Sequence, residues 1–158
     1  MLRRRSRDAH VSESQSSLSP DLSELPTPLV LYDGLCRLCA GTVLFVIARD
    51  RRARVRFASM QSAVGQRLLA RFGLPVDDLT TFVLVESGEH FTKSTAALRT
   101  VRYLDRPWPW LYPLVAVPRP IRDVLYDWVA RNRYRWFGRW EVCLTSGPRL
   151  QDRFLDDG

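Results

Sequence analysis

Apolar and polar positions change period several times along the chain, and each change marks an element. Residues 29–32 (LVLY) form a short apolar run closed by Asp33-Gly34, the pattern of a buried strand that ends in a turn. Residues 36–49 hold a longer apolar block, and with Leu35 just before it, Cys39, Val43, Val46 and Ile47 fall at helical spacing on one face. Residues 55–59 (VRFAS) alternate apolar with polar side chains and predict a strand; residues 62–72 predict a short helix stopped by Gly73 and Pro75. The strongest strand pattern is 80–85 (TTFVLV), with Ser87-Gly88 supplying a hairpin turn into Glu89–Thr92. Ser94 opens a helix through residue 104, and a last helix spans 121–134 with Ile121, Val124, Leu125 and Trp128 on one side.

The order β-α-β-α-β-β-α has mechanical content. Two strands joined through a helix lie parallel, and a following hairpin adds antiparallel strands, so the expected result is a four-stranded mixed sheet flanked by helices. This is a thioredoxin-like α/β arrangement with an added C-terminal helical segment. Residues 107–118 (PWPWLYPLVAVP) intervene; twelve residues with four prolines fall far short of the ~20 needed to span a membrane. Trp108, Trp110 and Tyr112 beside Arg119 and Arg122 leave peripheral contact with a lipid surface open, against the blander expectation of packing on the sheet's open face.

Composition narrows the class. The chain has 158 residues, 46% hydrophobic and 26% charged, enough for one core and a tail. Residues 1–28, rich in Ser, Arg, Glu and Pro, predict a disordered N-terminal tail; the domain is expected over 29–145, with 146–158 a C-terminal tail. The tail's charges cancel, so the net +7 belongs to the folded part and suggests anionic partners. No signal-peptide pattern opens the sequence, and three cysteines are few for a secreted scaffold, which predicts the cytoplasm. There a close cysteine pair is catalytic or metal-binding rather than a permanent staple.

That pair is Cys36 and Cys39, at the junction between the first strand and the first helix. Unpaired N–H groups and the peptide dipoles favour a thiolate at such a terminus, and Arg37 acts in the same direction. The expectation is an accessible nucleophile at Cys36 and a resolving Cys39 one turn deeper and less accessible, exchanging disulfides without cofactor or metal. Asp33 is a candidate proton carrier or an Asx-turn acceptor, and Gly34 is expected to supply a positive φ. Two alternatives stay open. One is a zinc-binding structural module using Cys36, Cys39 and Cys143, with His90; the other is a basic anion- or nucleic-acid-binding protein built on the Arg49–Arg56 run. No specific nucleic-acid motif accompanies that run.

Asp33-Gly34-Leu35-Cys36-Arg37-Leu38-Cys39 resembles the D-x-x-C-x-x-C signature of the DCC-type thiol-disulfide oxidoreductases. The likeness runs on through Arg49-Asp50, Gln61-Ser62, Gly88, Ser94, Arg122-Asp123, Tyr126 and residues 132–138 (NRYRWFG) to Cys143. The resemblance implies a thioredoxin-like fold and redox chemistry on a protein or small-molecule thiol or disulfide, glutathione being a candidate. Where thioredoxins place a cis-proline beside the dithiol, this chain has Leu79-Thr80-Thr81, which makes Thr80 and Thr81 the candidates for backbone contact with substrate. Ser94 and Thr95 stand where glutaredoxin-like folds hold the glutathione carboxylate; the plainer expectation is that Ser94 caps the helix.

Overall fold

A computed structural model describes residues 25–77, 81–139 and 150–155. Its elements run β1 (Leu29–Tyr32), α1 (Arg37–Arg49), β2 (Arg56–Ser59), α2 (Ala63–Arg71), β3 (Val83–Glu86), β4 (Glu89–Thr92) and α3 (Lys93–Val101), followed by a 3-10 helix (Trp108–Ala116) and α4 (Arg119–Phe137). The sheet has the order β2-β1-β3-β4, with β1 parallel to β2 and antiparallel to β3, and β3 antiparallel to β4. This is the mixed, thioredoxin-like arrangement expected.

β1 is buried on both faces, which is why it reads as an unbroken apolar run. Strand side chains alternate, so Val30 and Tyr32 join Val43, Val46, Phe57 and Leu84 under α1 and α3, while Leu29 and Leu31 join Met60, Leu68 and Leu69 under α2. α2 starts very close to β2. A Cβ on Gly65 would lie 2.1 Å from the Ser59 carbonyl oxygen, so only glycine allows this approach.

The contacts of two later segments complete the arrangement. Ile121, Val124, Leu125 and Trp128 do share one side of α4, but that side faces solvent, each residue being more than half exposed. α4 is instead held through its opposite side by polar contacts: the Phe82 N–H donates to the Tyr126 hydroxyl at 2.7 Å, Lys93 pairs with Asp127 at 3.0 Å, and Ser94 Oγ donates to Asp123 at 2.5 Å. The 3-10 helix packs on α3 rather than on the sheet, with Trp108 edge-on to Phe45 of α1 at 4.7 Å between centroids.

Residues 150–155, within the segment assigned from sequence to the C-terminal tail, return to the core. Phe154 is buried against Tyr32 and Phe57, and the Leu155 N–H donates to the Phe57 carbonyl at 2.8 Å. Arg153 pairs with buried Asp50 at 2.8 Å and donates to the Val55 carbonyl at 3.0 Å. The basic run after α1 is locally engaged: Arg49 lies over the Phe45 ring, Arg51 pairs with Asp105, and Arg54 donates to the Tyr103 carbonyl at 2.6 Å. No helix of the described residues is long and apolar enough to cross a membrane.

Candidate functional site

β1 ends at Tyr32 and the chain turns through Asp33 and Gly34 into Cys36, the N-cap residue of α1. Asp33 is buried and its Oδ1 accepts the Leu35 N–H at 2.9 Å, the Asx turn expected there. It does more than close the turn. Gln61 Nε2 donates to Oδ1 at 2.7 Å, while Arg133 Nη2 at 3.0 Å and the Tyr134 hydroxyl both donate to Oδ2. Gly34 does not adopt the expected positive φ. Its glycine identity follows from crowding instead: an added Cβ would sit 3.0 Å from Ser59 Oγ and 3.2 Å from the Gln61 Oε1 that accepts the Gly34 N–H.

Both cysteines are free thiols, and their exposures reverse the expected order. Cys36 is fully buried, whereas Cys39 is half-buried. At this point Arg139, just past the end of α4, forms an isolated antiparallel backbone bridge with Cys36. The electrostatics keep the expected order. The Cys36 thiol is lowered to about 6, chiefly by a hydrogen bond from the Cys39 side chain, against burial, and further by the Cys39 N–H, the Arg133 charge and the Leu38 N–H. The neutral thiol makes no side-chain cap bond, but these first-turn N–H groups favour its anion. Cys39 moves the other way, raised by its hydrogen bond to Cys36, by burial and by the neighbouring negative charge.

Arg133 links the two halves of the site. It is almost wholly buried on α4, pairs with Asp33, and places Nη1 3.8 Å from Cys39 Sγ. An apolar cavity of about 230 Å³ opens beside the same sulfur, between α1, α3 and α4.

The remaining candidates are more dispersed. Arg37 is exposed on the first turn of α1, and Thr81 is half-buried before β3, while Thr80 lies outside the described residues. Ser94 is not the cap of α3; Thr92 holds that position. The Ser94 and Thr95 hydroxyls are instead engaged from α4, Arg122 Nη1 lying 3.3 and 3.4 Å from their oxygens. His90 stacks on Phe72, on the α2 side of the sheet, and Cys143 lies outside the described residues. Among the described residues no group of three or more His, Cys, Asp or Glu is placed to hold a metal.

Gln61, Arg133 and Tyr134 were not assigned roles from sequence. Arg133 sits in a helix rich in arginine, which reads as a solvated face; its signal is position, since Tyr126, Val129, Ala130 and Arg133 share the side opposite Ile121, Val124, Leu125 and Trp128.

A family model described as DCC1-like thiol-disulfide oxidoreductase matches residues 30–139. The uncharacterized protein YuxK of Bacillus subtilis is 44% identical over 132 residues, which cover 84% of this chain and 96% of that protein. A chloroplastic DCC family protein of Arabidopsis thaliana is 44% identical over 117 residues, 73% of this chain and 68% of its own length. No solved structure gives a significant match.

Proposed function

Because the chain belongs to the DCC1-like thiol-disulfide oxidoreductase family, we propose that it is an enzyme that exchanges disulfides through Cys36 and Cys39. The observation that carries this reading is the placement of two free thiols, Cys36 at the N-cap and Cys39 in the first turn of α1, with Arg133 3.8 Å from Cys39 Sγ; the same surroundings draw Cys36 toward the anion and Cys39 toward the neutral form. The Cys36 thiolate attacks a substrate disulfide, forming a mixed disulfide and releasing the first substrate thiolate. Once Cys36 is bonded to substrate, its hydrogen-bond demand and negative charge no longer hold the proton on Cys39, while Arg133 remains 3.8 Å away to favour the new thiolate. Cys39 attacks Cys36 Sγ and its proton passes to the departing second substrate thiolate, directly or through water; the substrate leaves as a thiol, and two electrons have passed from the dithiol to the substrate. Asp33 anchors the loop and Arg133 rather than carrying that proton. Thr81 and Arg37 border the site as candidate substrate contacts. Cys36 is buried, so attack requires a local opening around it, far smaller than global unfolding, and the isolated bridge to Arg139 is one pairing such an opening would break.

A Cys39→Ser variant treated with a small disulfide should retain a mixed disulfide on Cys36, visible by mass spectrometry and removed by dithiothreitol. Equal labelling of Cys36 and Cys39 in the reduced wild-type chain, resolved by peptide mapping, would contradict the assignment.

A specific surface favours a location for this chemistry. Val124 (70%), Ile121 (64%), Leu125 (62%) and Trp128 (56%) are exposed along one side of α4, which exposed Arg131 and Arg135 continue, and Trp110 (73%) is exposed on the 3-10 helix. Aromatic and aliphatic side chains flanked by arginine match an anionic lipid surface. Binding to vesicles rich in phosphatidylglycerol, weak on phosphatidylcholine and lost in Trp110→Ala with Trp128→Ala, is the expected result; indifference to lipid charge would refute it.

A further inference from the structure

We infer that the cavity beside Cys39 is a binding site for an apolar group flanking the substrate sulfur, which makes the preferred substrates small disulfides or thiols carrying an aromatic ring or a branched aliphatic chain. This deepens the exchange reading and rests on it. The pocket is open to solvent on one side and measures about 230 Å³, with the apolar lining of a small-ligand cleft. An apolar cavity of about 150 Å³ already accepts benzene and stays dry when empty, so the space suits one substituted ring.

The walls decide what kind of group fits. Phe45 and Val46 of α1, Val101 of α3 and Val129 of α4 supply apolar surface. The threonine hydroxyls at the lining already donate, Thr42 to the Leu38 carbonyl at 2.9 Å and Thr100 to the Ala96 carbonyl at 2.8 Å, while the Tyr126 oxygen accepts the Phe82 N–H. What remains chemically active at the lining is the Cys39 sulfur, with Arg133 beside it. Cys36 is the N-cap residue and Cys39 lies in the first turn of the same helix, so a substituent next to a sulfur joined to Cys36 comes within reach of the Cys39 wall. The side chains that would greet a charged tripeptide are committed elsewhere, Ser94 and Thr95 being held by Asp123 and Arg122. The exchange itself is the one already balanced above: the dithiol is oxidised, the apolar disulfide is reduced to two thiols, and the proton of Cys39 leaves as it attacks.

The test uses the full reduced chain and two readouts. Toluene, an apolar ring without redox chemistry, should shift the methyl resonances of Val46, Val101 and Leu104 and raise the melting temperature. Dibenzyl disulfide should exceed glutathione disulfide in kcat/KM by about ten-fold or more, the scale at which one hydrophobic group is discriminated. Ala130→Leu fills the cavity and should abolish the toluene shifts and bring the ratio toward one; Ala97→Leu, from α3, serves if the first variant does not fold. Absence of toluene shifts in the parent chain, or a ratio unmoved by filling, overturns the inference. A chain that binds toluene but exchanges no disulfide leaves the apolar site standing and overturns the exchange reading and the substrate class with it.

Discussion

Arg133 brings a guanidinium out of water to meet Asp33, Tyr134 and Cys39 in one place, and the cost of doing so is offset only while all three are present. Arg133→Met keeps the length but leaves the Asp33 carboxylate buried beside fewer donors, so urea denaturation should show a loss of about 3 kcal/mol. Asp33→Asn added to Arg133→Met should recover part of it, because the stranded charge is gone. Single residues were the least readable scale in the sequence. The Asx turn at Asp33 follows from local chemistry and was expected. Its partners Gln61 and Arg133 lie 28 and 100 residues away, where no periodicity links them. Gly34 shows the same limit: glycine was readable as necessary, but its cause is the approach of Ser59 and Gln61 from another strand end, not its own φ.

Elements fared better because period and punctuation are local. β1 and β4 occupy the residues the pattern assigned, and Ser62 caps α2 by accepting the Gly65 N–H at 3.1 Å. β3 begins later than its β-branched run suggested, at Val83. α4 separates what periodicity can and cannot say. It located an apolar stripe, but the stripe faces outward because the opposite side supplies the buried Arg133, the Tyr126 bond and the cavity wall. Two substitutions on adjacent residues test that orientation. Leu125→Gln should change stability by less than about 0.5 kcal/mol, as exposed positions do, while Tyr126→Phe should lose about 1 kcal/mol by stranding the Phe82 N–H. Comparable losses from both in thermal or urea unfolding would contradict the helix placement.

At the scale of the whole molecule, the thioredoxin-like class, the family and the position of the dithiol were all readable from sequence, since each rests on element order and one compact motif. The bridge between Arg139 and Cys36 and the return of residues 150–155 were not, because both are long-range pairings that no local pattern announces. The displaced thiols also tie the fold to pH. Cys36 titrates at about 6 when folded and near 9 otherwise, so between those values the unfolded chain binds more protons and stability rises with pH. Above about 9 the folded chain keeps the Cys39 proton that the unfolded chain releases, and stability falls. The urea midpoint of the reduced protein should therefore peak near pH 9, and a Cys36→Ser, Cys39→Ser variant should show no such peak. The most direct test of the account is the pH titration of thiolate ultraviolet absorbance in the reduced wild-type chain and in Cys39→Ser. One thiolate forming near pH 6 in the wild type, moving upward when the Cys39 hydrogen bond is removed, is the predicted result. Two thiols titrating together in the ordinary range would contradict it.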